Sequence, residues 1–569
     1  MRAAGQGLKT SLVIYHQHIN TPMKLEINHR NSIGLLFLTT CVTQPLSGAP
    51  PHSISVTPVG SVAAGSFLTS AAEIAAHDPA TQRLFVVNAQ AAQIDVISIA
   101  NPAAPTIIGE IDVTSYGAVA NSVAVREGLI AVAVESAVKT DAGKVVFFDS
   151  ALQFVSQVTV GALPDMVTFT PNGRCVLTAD EGEPSEDYLV DPEGTVSIID
   201  LSGGAASLTQ ANVSTANFQG FNGISREVLF NGTSPASPKP AIRVFGPDAT
   251  VAEDLEPEYI TVSHDSKTAW VTLQEANALA IIDIKSATVT QLVGLGTKDH
   301  SLAANALDAS DRDGIPVANA GRINIQNWPV KGLFLPDGIA SIKDGNNTYL
   351  LLANEGDSRD YPGYSEETRI GSMALDPAVF PPAVATELKK SANLGRLKAT
   401  KAQGDTAGNN VYKEIYTFGT RSFSIRDTAG NLVWDSGDQF ERITAALNPT
   451  FFNSNHEINK FDDRSDDKGP EPENIAVGKA FGRSYAFIGL ERLSGIMVYD
   501  VTNPKAPVFV QYTDNRDFTQ PTNTPASGDL GPEGVLFISE EQSPNGKPLL
   551  IVANEVSGTT TVYEINKVK

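Results

Sequence analysis

Acidic residues recur at one place in a repeated pattern, and this recurrence is the strongest chemical signal in the chain. Asp165, Glu258, Asp337, Glu473 and Glu533 each follow a proline at the head of an apolar stretch. Glu181, Glu275, Glu355, Glu491 and Glu555 each close the apolar strand that comes next. Carboxylates gathered within a few ångströms cannot all stay ionised without a cation or basic partners. Hard oxygen donors of this kind suit Ca²⁺ or Mg²⁺, and Ca²⁺ tolerates the irregular geometry of a ring of strand ends. A divalent cation, Ca²⁺ first, is therefore the expected cofactor. The same positions have a purely structural alternative. Each acid would accept backbone N–H bonds from the adjacent unit and lock the units together, with Arg359 and Arg492 neutralising their neighbours.

The densest cluster is Glu355-Gly356-Asp357-Ser358-Arg359-Asp360-Tyr361. Three acids, a hydroxyl and a guanidinium on one loop are what a metal plus a phosphate oxyanion need, which makes Arg359 and Arg492 the candidate anion clamp and Glu355, Asp357 and Asp360 candidate ligands. A salt-bridged turn is the alternative. The run from Asp462 to Lys468 reads as a Ca²⁺ loop or as a solvated charged loop. Asp308 to Gly314 lacks the D-x-D-x-D-G order and the later bidentate Glu of a calcium loop. His300 and His456 sit beside acids, where a lone His is more often a hydrogen-bond donor than a base. No G-x-S-x-G, H-E-x-x-H, P-loop or dinucleotide motif is present, and no catalytic nucleophile is identified.

The elements that carry these acids repeat. A proline and an acid lead a strand, then come a turn, a strand ending in an acid, and a further strand, in units that begin near Glu73, Asn121, Pro164, Pro257, Pro336, Pro472 and Pro532. Each unit holds three or four short alternating strands, too few to bury both faces alone, so the units must stack around an axis. The expected fold is all-β: a seven-bladed β-propeller over residues 55–569, closed by joining the two chain ends, with channel strands near Leu84, Ile130, Val176, Ala269, Leu351, Phe487 and Val552. Insertions at Leu201–Ile242, Leu292–Lys331 and Tyr361–Lys413 become long face loops carrying short helices, as around Ala385–Lys390. The composition agrees, with 46 Gly and 34 Pro among 569 residues supplying the turns between short apolar runs.

A net charge of -23 repels nucleic acid and anionic membranes, so neither is an expected partner. Two cysteines, Cys41 and Cys175, are too few for a disulfide framework or thiolate site. Residues 1–50 read as an export leader, its signal starting at Met23 with Lys24, Arg30 and the apolar run Ile33–Leu38. Lipidation at Cys41 is the variant, and the mature protein is expected to be a periplasmic, extracellular or cell-surface monomer. No stretch is apolar for long enough to span a bilayer as a helix, and the carboxyl end stops without a hydrophobic tail.

The strings GLFLPDGIAS (332–341), LLANEGDSRDY (351–361), DDRSDDKGPEPENIAVG (462–478), YAFIGLERLSGIMVYDVTNPKAPVFVQY (485–512), DNRDF (514–518), GDLGPEGVLFI (528–538) and LLIVANEVSGTTTVYEI (549–565) resemble the choice-of-anchor I family. That family is also labelled mesenchyme-specific cell surface glycoprotein-like, and some members carry the label alkaline phosphatase. The resemblance implies an extracellular propeller. Two functions follow. One is a surface or periplasmic binding module with a cation on its acidic channel face; the other is a metal-dependent phosphoester hydrolase.

Overall fold

The computed structural model describes residues 54–65, 67–224, 233–234, 237–238, 242–314, 320–405 and 407–568. The expected leader and Cys41 lie outside them. Beyond the expected leader the described residues form one compact unit, and among them are seven four-stranded antiparallel sheets, numbered here as blades in chain order. Blade one begins with Ala75–Asp78, blade two with Val119–Arg126, blade three with Pro164–Phe169 and blade four with Pro257–Val262. Blades five, six and seven begin with Ile339–Asp344, Pro472–Ala480 and Pro532–Ile538.

These seven first strands touch one another in sequence, and the last touches the first, so the ring is closed around a channel. The channel strands are thus the first of each blade. The strands near Leu84, Ile130, Val176, Ala269, Leu351, Phe487 and Val552 are instead the second, which corrects the expectation from sequence. Their continuous apolar character has a simple cause. Leu549–Asn554, for example, is buried along its whole length, because both of its faces lie against neighbouring blades. The outermost strand Thr106–Asp112 has only Ile111 buried.

Closure uses both ends of the described chain. Ile54–Ala63 pairs antiparallel with Thr559–Lys567 and completes blade seven as its outer strand. Ile54 and Val56 enter a core shared with Tyr485, Phe487, Val552 and Ile565.

The insertions on one face fold into a cap with its own core, built from Leu307, Trp328, Ile370, Phe380, Leu394 and Tyr412 among others. Its helix Pro382–Leu388 falls at the expected place, and a second helix, Gln439–Leu447, buries Phe440 and Ile443 toward blades five and six. Among the described residues no helix is long and apolar enough to cross a membrane.

Candidate functional site

The acids that head each repeat are aimed by β-bulges. The ladder of blade three pairs Pro164 with Asp180 and then Met166 with Ala179, skipping Asp165. A one-residue break likewise passes over Glu533 in blade seven and Asn121 in blade two, and a two-residue break passes over Glu258-Tyr259 in blade four and Glu473-Asn474 in blade six. A bulge leaves one residue unpaired and turns its side chain out of the pleat, and the preceding proline brings no N–H that the ladder would miss. Asp337 and Glu73 hold the corresponding place just before the first strands of blades five and one.

Glu181, Glu355, Glu491 and Glu555 directly follow the second strands of their blades, and Glu275 lies two residues beyond one. Because first and second strands run antiparallel, the start of one lies beside the end of the other. Backbone bonds fix this junction, with the N–H groups of Glu181, Gly356, Glu491 and Glu555 donating to the carbonyls of Leu163, Leu335, Glu471 and Gly531. Two tiers of carboxylates therefore meet at one mouth of the channel. They border a cavity of about 280 Å³ whose lining includes Glu73, Asp165, Glu181, Asp337, Glu533 and, as its cation, Lys139.

Electrostatics follow from that crowding. Burial, with the charge of Glu355, pushes Asp337 up to about 8. Burial with Glu555 and Asp165 does the same to Glu73, also to about 8. Asp165 rises to about 6, mainly through burial, with Lys139 opposing. Glu181, Glu258, Glu275, Glu473, Glu491 and Glu533 are all driven well above the usual carboxylate range by burial and by one another. Among the described residues, none of Asp165, Glu258, Asp337, Glu473 and Glu533 accepts a backbone N–H bond, so amide locking is not what these five acids do.

Basic side chains serve only part of the mouth. Lys468 donates to Glu355 at 2.5 Å and to Asp357 at 3.0 Å, and lies 3.3 Å from Glu471. Arg464 and Arg492 also pair with Glu471, at 2.6 and 3.1 Å. Burial raises Glu471, but Arg464, Lys468 and Arg492 outweigh it and hold its carboxyl well below the usual range. Gln274 of blade four donates to the other oxygen of Glu355 at 2.6 Å. Glu355 and Asp357, first-choice ligands by sequence, are therefore already charge-compensated, and Asp360 is exposed on the surface.

Arg359 does not face an anion site. It is 1% exposed, donates to Asp254, lies 3.1 Å from Glu256, and rests on the Phe245 ring 4.7 Å away. Asp254 and Glu256 are themselves 1% and 2% exposed, so the guanidinium and its two carboxylates are sealed together away from solvent. Arg492 stays one-quarter exposed but is held by Glu471, Glu491 and His456.

The run 462–468 is neither a solvated loop nor an open calcium loop. Asp462 is fully buried, Asp466 binds Arg369 and Arg396, Asp467 binds Arg464 and Lys398, and Lys468 plugs the channel mouth. In the 308–314 run, Asp308 accepts from the Asn324 amide, Asp311 pairs with Arg396, and Asp313 pairs with Arg322. His300 and His456 are buried and driven down to about 3, first by burial and then by nearby cations, so both are neutral.

Sequence reasoning missed Glu73, Glu471, Lys468 and Lys139. Glu73 had a signal, because it precedes its strand as Asp337 does but without the proline. Lys139 and Lys468 had none, since each reaches its partners from an irregular loop.

These shifts predict a pH dependence. A carboxyl whose folded pKa lies above its unfolded value stabilises the protein fully below the unfolded value, and loses that contribution as pH rises through the folded one. Glu73 and Asp337 (about 8), with Asp308 (about 8) and Asp462 (about 9) in the cap, make this loss continue through neutrality to about pH 8–9. The buried histidines act oppositely, but only below their unfolded value of 6.5. In chelator, stability should therefore fall between about pH 6.5 and about 8.5, by about 1.4 kcal/mol per unit for each group still protonated. Thermal unfolding across that window checks it, and a flat or rising melting temperature would contradict it.

The model of the choice-of-anchor I domain matches residues 73–504. Gigasin-3a of Magallana gigas is 27% identical over 190 residues, which are 31% of this chain and 66% of that protein. The mesenchyme-specific cell surface glycoprotein of Strongylocentrotus purpuratus is 27% identical over 285 residues, 44% of this chain and 35% of that protein. The chain thus spans just under two thirds of one relative and about a third of the other. Among solved structures, hydrazine synthase of Kuenenia stuttgartiensis aligns with a TM-score of 0.43 at 14% identity, covering 88% of this chain and 96% of that one. Streptogramin B lyase aligns with a TM-score of 0.43 at 10% identity, covering 91% and 98%. Such scores describe a shared outline; the fold itself rests on the sheet order and the closed ring of first strands.

Proposed function

This chain belongs to the choice-of-anchor I family, and we propose that it is an exported surface or periplasmic binding module that takes its ligand at the acidic channel mouth. One observation carries the reading. Two tiers of carboxylates from successive blades converge beside a cavity of about 280 Å³, while the arginines that a phosphate site would use are bound to carboxylates. The sea urchin relative's description as a cell surface glycoprotein supports the location. A net charge of -23 and an acid-rich lining favour a ligand that is cationic, or one that is neutral and held through a bound cation.

Phosphoester hydrolysis is the weaker reading. A phosphoryl site needs cations aimed at the oxyanion, and Arg359 lies sealed against Asp254 and Glu256. The test is incubation of the purified protein with p-nitrophenyl phosphate and its diester across acid to alkaline pH, with Ca²⁺, Mg²⁺ or Zn²⁺. The expected result is no turnover above a buffer blank. Metal-dependent turnover that disappears in E355Q would overturn the binding-module reading in favour of the hydrolase.

A further inference from the structure

Among the described residues, three places in the mouth bring donor atoms of three side chains within 4.8 Å of one another: Glu355–Glu471–Glu491, His456–Glu491–Glu555 and Asp337–Glu473–Glu533. The first is satisfied from within by Lys468, Arg464 and Arg492. At the second, Arg492 Nη1 donates to His456 Nε2 at 2.8 Å. The neutral ring then carries its proton on Nδ1, so neither nitrogen offers a free lone pair to a metal.

The third place differs. Among the described residues no basic side chain pairs with Asp337, Glu473 or Glu533. Glu473 is only 9% exposed, yet its Oε2 has no hydrogen-bond partner. Three carboxyls buried side by side are costly unless a proton or a metal cation sits among them, and Asp337 and Glu473 lie close enough to share a hydrogen bond.

We propose that Asp337, Glu473 and Glu533, from three consecutive blades, seat a divalent cation, with Ca²⁺ the ion their chemistry fits best. Two oxygens on one Ca²⁺ can be at most about 5 Å apart, given Ca–O distances of about 2.3–2.6 Å, and the three donor atoms all lie within 4.8 Å of one another, inside that limit. Mg²⁺, with bonds of about 2.0–2.1 Å and strict octahedral demands, fits the same oxygens less well. Three carboxylates, two from bulges and Asp337 from just before its strand, supply irregular, all-oxygen coordination that Ca²⁺ accepts. Asp337 and Glu533 also line the cavity, so the coordination positions left open face it. Resting on the binding-module reading, this makes the cation the means by which an acid-lined cavity holds a ligand's oxygen atoms.

The test is calorimetric titration of CaCl₂ into chelator-stripped full-length protein, paired with melting curves in chelator and in Ca²⁺. Wild type should take up one Ca²⁺ in the mouth and melt higher with it. E473Q should bind at least about tenfold more weakly, while its melting temperature in chelator stays at or above wild type, because the amide keeps the shape of a carboxyl that has no basic partner to lose. D337N should behave alike and stands in if E473Q fails to fold. No calcium uptake by wild type would overturn the proposal, as would unchanged affinity in the variants. A variant that melts lower in chelator with unaltered calcium affinity would show a structural role instead and also overturn it. Loss of the cation seat without phosphoester turnover would leave the binding module standing, whereas turnover with calcium uptake intact would remove the module and keep the seat.

Discussion

Replacing Arg359 by methionine should destabilise the protein by about 3–5 kcal/mol, the range found when one partner of a buried ion pair is removed. Asp254 and Glu256 are 1% and 2% exposed, and both lean on this guanidinium. Glu256 is pushed up to about 7 by burial even with Arg359 beside it. Without the arginine, Glu256 would have to stay protonated or carry uncompensated charge, and Asp254 would be left with the Phe245 and Gly246 amides as partners for its carboxylate. The nearby Arg243–Glu366 pair cannot substitute, because Glu366 already engages Arg243 completely out of solvent. R359K should recover only part of the loss, since one ammonium cannot match a planar fork that also rests on Phe245. Chemical denaturation of wild type, R359M and R359K measures this. Unchanged stability combined with lost affinity for inorganic phosphate would restore Arg359 as an anion clamp.

An equally large effect is expected from deleting residues 54–63. That strand supplies the outer edge of blade seven and ties the two ends of the ring together along nine residue pairs from Ile54↔Lys567 to Ala63↔Thr559. Its removal exposes the edge of Thr559–Lys567 and uncovers apolar surface that Ile54 and Val56 now seal. Each buried side chain of that size contributes about 1.5–3 kcal/mol, and a bare apolar edge invites pairing with other chains. The truncated protein should aggregate or melt far below wild type when followed by size exclusion and thermal unfolding. A monomer with a native melting curve would mean that the ring does not depend on this closure.

The fold was largely legible because a propeller repeats its chemistry. Pro164-Asp165 and Pro257-Glu258 announce a strand start, a bulge and an inward acid in two residues, and the five copies of that dipeptide located five blades outright. Blade two, where Asn121 replaces the acid, and blade one, where Glu73 lacks the proline, were readable only by their strands. Which strand lines the channel was misread, because the most apolar strand of each unit is the one buried on both faces, and that is the second. The site was legible as a set of acids but not as a set of charges. Whether Glu355 or Glu473 is neutralised depends on Lys468, which arrives from a loop more than 100 residues beyond Glu355 in sequence, while Glu473 stands only a few residues from Lys468 and does not receive it. Spacing along the chain carries no trace of that choice. The same holds for Arg359, whose loop advertises an oxyanion site until Asp254 and Glu256 occupy it.

The central claim is that the channel mouth keeps one carboxylate triad uncompensated for a cation. The most direct test is an anomalous difference map from crystals soaked in a lanthanide, used as a stand-in for Ca²⁺. The strongest peak should lie among Asp337, Glu473 and Glu533. A strongest peak at Glu355, Glu471 and Glu491 or in the 308–314 run, or a channel with no peak at all, would contradict the account.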